Sequence, residues 1–157
     1  MRVTGAWSPS EAAAFLEETR VPVRIACRTP SGSLWMVSLW YRYEDGRFRC
    51  ATSSRADVVR YLEADPHVAF EISTNRPPYR GVRGNGTASL EPDTDQTLLR
   101  DLLDRYLGGT DSSLARTLLD PDREETAIAI APDRLFTWDF TERMADVAEG
   151  NPSDPDP

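Results

Sequence analysis

The chain has 157 residues, of which 26 are Asp or Glu and 18 are basic, giving a net charge of −8. That length holds one domain with a real core and is short for two, while 39% hydrophobic and 9% aromatic residues are too many for a disordered chain. The acidic balance argues against nucleic-acid binding, which needs basic stripes, and no apolar run approaches the ~20 residues of a membrane span.

The N-terminus shows no secretory stretch, so the sequence reads as a soluble, cytoplasmic protein. Every basic residue apart from His67 is arginine. Either an acid-rich surface suited to high salt or arginine-rich coding accounts for the missing lysines. In both cases any phosphate held by a cationic side chain is held by arginine, the bidentate binder. Cys27 and Cys50 each sit in an apolar run and read as buried thiols. With one histidine and no Cys-x-x-Cys, a metal site is not expected.

Ser8-Pro9-Ser10-Glu11 has the pattern of a helix start, with Ser8 as cap and Pro9 in the first position. A helix over Pro9 to Glu18 follows. Strand-like runs then cover Val21 to Thr29, Ser33 to Tyr43 and Arg47 to Thr52, with turns at Pro30-Ser31-Gly32 and Glu44-Asp45-Gly46. Trp35 and Trp40 fall on one of these runs, five apart and so on opposite faces. A short helix from Arg55 to Ala64 places Val58, Val59 and Leu62 on one face. His67 to Thr74 alternates as a fourth strand, and Gly81 to Leu90 makes a fifth whose glycines imply bulges or close backbone approach. Asp93 to Leu107 is the clearest helix, with a leucine stripe and Gly108-Gly109 as its stop. Asp101, Asp104 and Arg105 read as its solvated face. A short helix near Ser112 to Leu119 precedes two strands, Thr126 to Ala131 and Arg134 to Phe140, turned at Pro132-Asp133. The domain spans 1–144, and 145–157 form an acidic tail rich in Gly, Asn, Pro and Ser that reads as disordered.

The segment with the most chemistry is Ala51-Thr52-Ser53-Ser54-Arg55. There a strand ends, three hydroxyls and an arginine follow, and a helix begins. Free N–H groups and the dipole at a helix start favour anions, and Arg55 adds a charge-assisted fork. A second reading needs no ligand: Ser54-x-x-Asp57 is a capping-box-like pair.

Six segments occur in order along the chain: Arg24 to Cys27, Trp35 to Tyr41, Ala51 to Arg55, Ala64 to Ala69, Pro77 to Ala88 and Ile128 to Phe140. Over residues 9–143 this ordered set resembles the pyridoxamine 5′-phosphate oxidase-like proteins. The resemblance is to the family at large and not to the vitamin B6 oxidase itself, whose arginine-rich C-terminal signature is not evident. It implies a mainly β fold, a six- to seven-stranded antiparallel split β-barrel of the FMN-binding type with a few helices. It also implies a homodimer with FMN at the interface and oxidoreductase activity on a small-molecule substrate. On this likeness Met36, Val37, Ser38, Leu39 and Trp40 run along the flavin ring, and Thr52, Ser53, Ser54 and Arg55 seat the phosphate. Trp138 approaches from the partner chain, and Tyr79 and Arg80 lie near the opening as substrate contacts.

One departure weakens the phosphate seat. The family commonly has lysine where this chain has Ala56, and Asp57 adds a negative charge. A lost charged contact costs about 1.5–3 kcal/mol, which Arg24 or Arg60 could offset. Two alternatives stay open: a deazaflavin-dependent reductase on the same fold, and a non-catalytic dimeric barrel holding flavin or haem. A lone His67 gives the haem version little support.

Overall fold

The structure is a computed structural model and describes residues 1–147. Most of the expected tail therefore lies outside the described residues. Eight strands and four α-helices follow in the order β1 (Arg2–Gly5), α1 (Pro9–Glu18), β2 (Val23–Arg28), β3 (Leu34–Leu39), β4 (Arg42–Glu44), β5 (Arg47–Ser53), α2 (Asp57–Ala64), β6 (His67–Ser73), β7 (Arg80–Pro92), α3 (Thr97–Leu107), α4 (Ser113–Leu118) and β8 (Glu125–Asp139).

The strands form one sheet in the order β3-β2-β6-β7-β8-β5-β4, antiparallel throughout, and β1 adds in parallel to β8. At one end of this order β3 lies against β5 without pairing to it, which leaves the barrel split. The inner face is close-packed around Ile25, Phe48, Phe70, Ile72, Ile128 and Ile130, all in one apolar cluster. Burying such side chains is the main term holding the barrel together, at about 1.5–3 kcal/mol each. A smaller cluster lies outside β5, where Leu98, Leu99, Leu102 and Leu103 of α3 cover Ala51 and Trp40.

Local signals explain several elements. Ser8 and Glu11 make a reciprocal capping box at α1, with Pro9 opening the helix. Val58, Val59 and Leu62 are the buried stripe of α2. Gly108 ends α3 in the left-handed conformation that glycine tolerates. Cys27 and Cys50 are buried free thiols. No helix among the described residues is long and apolar enough to cross a membrane.

Five expectations need correction. The barrel has eight strands instead of six or seven, because β1 recruits β8 from across the chain. The run from Ser33 to Tyr43 is broken after Leu39, and Trp40 and Tyr41 leave the ladder before β4. Trp35 and Trp40 are therefore not on one strand. Trp35 meets Tyr61 edge-on at 5.2 Å, and Trp40 stacks on Tyr106 at 5.2 Å. The last two strands are one: Pro132 and Asp133 form no turn, and a register shift at Asn85/Gly86 lets β8 continue past them. Finally, Asp101 and Arg105 are not merely solvated, since Asp101 pairs with Arg42 and Arg105 binds the end of α1.

Candidate functional site

The outer face of β2, β3, β6, β7 and β8 carries a cleft of about 630 Å³. Its position follows from strand alternation, which turns every second residue outward. On β8 these are Arg134, Phe136 and Trp138, on β7 Arg83, on β2 Arg24, and on β3 Met36. Ala26, Ala69 and Gly84 keep the floor low.

Charge distinguishes this cleft from the cavities near the Thr52–Arg55 turn. Arg24, Arg83 and Arg134 face a single carboxylate, Glu71. A separate cavity of about 660 Å³ has the opposite balance, with Arg100 and Arg123 against Asp93, Asp95, Glu124 and Glu125. In a chain of net charge −8, a cleft with excess positive charge concentrates anions where the global field repels them.

The arginines are held in different ways. The guanidinium of Arg83 lies 4.8 Å from the Phe136 ring centroid and 5.7 Å from that of Trp138, within cation–π range. Arg24 donates through Nη2 to Asn75 Oδ1 at 2.6 Å. Its Nη1 is 3.8 Å from Glu71 and is buried without a hydrogen bond. Glu71 is shared, because Ser73 Oγ also donates to it. An N–H left in this state has hydrogen-bonding capacity to give an anion. The aromatic and thioether walls suit a flat ring, and the cations suit its phosphate or carboxylate. The residues therefore fit a flavin-type group. None of the lining residues is a histidine or cysteine.

Met36 and Trp138 thus share one cleft. Met36 is 62% exposed and points outward, and Ser38 faces the same side, paired in register with Arg24. Val37 and Leu39 point inward and pack against the core. Trp40 belongs to the cluster under α3.

The turn Thr52–Arg55 does not line this cleft. Thr52 pairs with Thr126, and Ser53 with Glu125. Ser54 Oγ lies 2.8 Å from Thr126 Oγ1, and Arg55 N donates to Ser53 Oγ at 3.3 Å. Ser54 is not the cap of α2: the cap is Ala56, two residues later and with no side-chain bond, because Ala56 N donates to Ser53 O and closes a turn first. Asp57 pairs with Arg60 at 2.8 Å. The cavity beside the turn, about 360 Å³, sets Arg55 and Arg123 against Asp120, Asp122 and Glu124. Tyr79 and Arg80 sit at the start of β7, both exposed, where the Tyr79 carbonyl accepts from Phe140 N and Arg80 lies opposite Asp139.

Sequence reasoning assigned no role to Arg83, Arg134 or Phe136. The signal for the β8 pair was present, since Arg134, Phe136 and Trp138 are spaced by two and so share a face. Joining them to Arg83 and Arg24 required the sheet order.

No protein-family model matches the sequence, and a comparison with curated protein sequences finds no match either. Solved structures do match. A conserved hypothetical protein of Mycobacterium tuberculosis aligns with TM-score 0.71 and 21% identity over 96% of this chain and 94% of its own. An F420 reductase aligns with TM-score 0.68 and 21% identity, over 82% and 98% respectively. A Listeria innocua protein provisionally assigned as a pyridoxamine 5′-phosphate oxidase gives 0.62 and 17%, over 82% and 95%. At such identities the likeness establishes a shared fold.

Proposed function

Starting from a chain with the split-barrel fold of the pyridoxamine 5′-phosphate oxidase-like structures, we propose that it binds a flavin-type cofactor, FMN in the first instance. The cofactor lies on the arginine-lined cleft, between two copies of the chain, and the protein acts as an oxidoreductase on a small molecule. The observation that carries the reading is the convergence of Arg24, Arg83 and Arg134 with Phe136, Trp138 and Met36 on one outward face. Leu34, 78% exposed, shares the outer face of β3 with Met36, which supports a second copy as the cover.

When bound, the cofactor supplies electron and hydride transfer. The chain's own residues bind and orient it. Arg24 and Arg134 take its anionic group, Trp138 and Met36 flank the ring, and Arg83 stays fixed over the two aromatics. The partner copy excludes water from the enclosed face. A deazaflavin is the second reading, supported by the fold shared with an F420 reductase.

Titration of the purified protein with FMN and with a deazaflavin, followed by cofactor fluorescence, tests both readings. The tighter ligand identifies the class. Arg134→Ala should weaken binding roughly tenfold or more, with Arg55→Ala close to wild type. Loss confined to Arg55→Ala would move the phosphate to the Thr52–Arg55 turn and sink the cleft assignment.

A further inference from the structure

We propose that the cavity walled by the start of α3, the start of β8 and the segment 119–124 binds an organic cation, an aliphatic diamine with one ammonium on Glu125 and the other on the rim carboxylates Asp95 and Glu124. This cavity shares no lining residue with the arginine-lined cleft, and the site does not depend on the cofactor reading.

Glu125 is the first residue of β8. Ala127, two positions on, packs against Leu98 and Leu102 of α3. Strand alternation therefore turns Glu125 to the same side of the sheet, into the space between the α3 start and the segment 119–124. The residue is only 4% exposed. Its Oε1 accepts from Arg123 Nε. Its Oε2 is buried and has no hydrogen-bond partner among the described residues. A carboxylate withdrawn from water is stable when donors reach both oxygens, so Oε2 has accepting capacity to offer a ligand.

The charge of the cavity selects a cation. Asp93, Asp95, Glu124 and Glu125 outnumber Arg100 and Arg123. Asp93 is committed, because its two oxygens accept from Leu98 N and Leu99 N at 2.9 Å. Arg123 is committed to Glu125. Asp95 and Glu124 are exposed and mark the rim. Pro92, Leu119 and Pro121 add apolar wall, which suits a methylene stem. The volume of about 660 Å³ is far more than one water or ion needs. No group of three His, Cys, Asp or Glu among the described residues is placed to hold a metal. An ammonium has three donors and no acceptor, and the Ser54 and Thr126 hydroxyls on the same lining accept what Glu125 does not.

Calorimetric titration of the full chain with putrescine (1,4-diaminobutane) at low salt tests the site. Butylamine serves as the single-ammonium probe and Mg²⁺ as the metal probe. Putrescine should bind once per chain, and butylamine roughly tenfold more weakly or worse. Glu125→Gln should weaken putrescine by roughly tenfold or more. Asp95→Asn should weaken it severalfold, and asparagine tolerates the left-handed backbone there, φ 58°. Glu63→Gln removes the same charge from the exposed side of α2, outside the cavity, and should leave the affinity within about twofold. Far-UV spectra confirm the fold of each variant, and Asp95→Asn carries the comparison if Glu125→Gln does not fold.

No putrescine binding at about 1 mM overturns the proposal and leaves the cavity to water. Binding that Glu125→Gln, or Asp95→Asn in its place, leaves unchanged overturns it too, as does an equal loss in Glu63→Gln. Mg²⁺ that displaces putrescine and depends on Glu125 overturns the choice of ligand.

Discussion

Cys50 has no solvent exposure, and burial pushes its thiol pKa from 9.0 up to about 12. Cys27 is raised for the same reason, with Asp65 adding to it. The folded state holds both thiols neutral. A folded pKa above the unfolded one gives stability that is complete below the unfolded pKa and is lost as pH rises through the folded value. The contribution of Cys50 therefore fades between about pH 9 and 12. The urea midpoint should fall across that range. Near pH 8, iodoacetamide should leave both cysteines unmodified in the folded protein and label both in urea. Mass spectrometry of the labelled protein reads this out, and modification of the folded chain would contradict it. Single residues were legible where the partner is local: Ser8 and Glu11 are three apart, and their capping box formed as expected. Ser54 was not, because its hydroxyl lies against Thr126, a partner 72 positions away.

Helix α3 is amphipathic in sequence, and its leucine stripe is buried as the period requires. Its other side does something the period does not encode. Arg105 donates to the Leu16, Glu17 and Thr19 carbonyls at 3.3, 2.8 and 2.7 Å, satisfying the free end of α1. The same guanidinium lies 5.7 Å from the Tyr41 and Tyr106 ring centroids. Three charge-assisted bonds across two helices outweigh an ordinary surface ion pair. Arg105→Met should cost about 2–3 kcal/mol, against about 1 kcal/mol or less for Arg42→Ala at the single ion pair with Asp101. Urea denaturation of the two variants makes the comparison, and equal losses would show that the tie carries no special weight. Arg105 looked like surface charge in the sequence because its acceptors lie 86 to 89 residues away.

At the scale of the whole barrel, β6, β7 and β8 close against one another at Gly84. A Cβ there would meet the Arg134 carbonyl and lie 2.8 Å from Phe70 Cζ. Gly84→Ala should therefore cost about 1–3 kcal/mol and lower the melting temperature by several degrees. An unchanged melt would mean the strands separate without strain. Alternation and turn residues were enough to read most strands and the inward Val68, Phe70 and Ile72 of β6. They could not reveal β1, four residues paired with a strand more than 130 positions away. They could not reveal the cleft either, whose walls come from five strands. The register shift at Asn85/Gly86 leaves Asp133 without a partner, since Pro132 pairs with Gly86 and Arg134 with Asn85. Ahead of it Ile128 and Ile130 point into the core, whereas beyond it Leu135 and Thr137 do. The inward side thus passes from even to odd positions across one unpaired residue. Asp133 works as a parity switch within a single strand. Were Asp133 to pair in register, Arg134, Phe136 and Trp138 would turn toward the hydrophobic interior, and the arginine-bearing wall of the cleft would change places with part of the core.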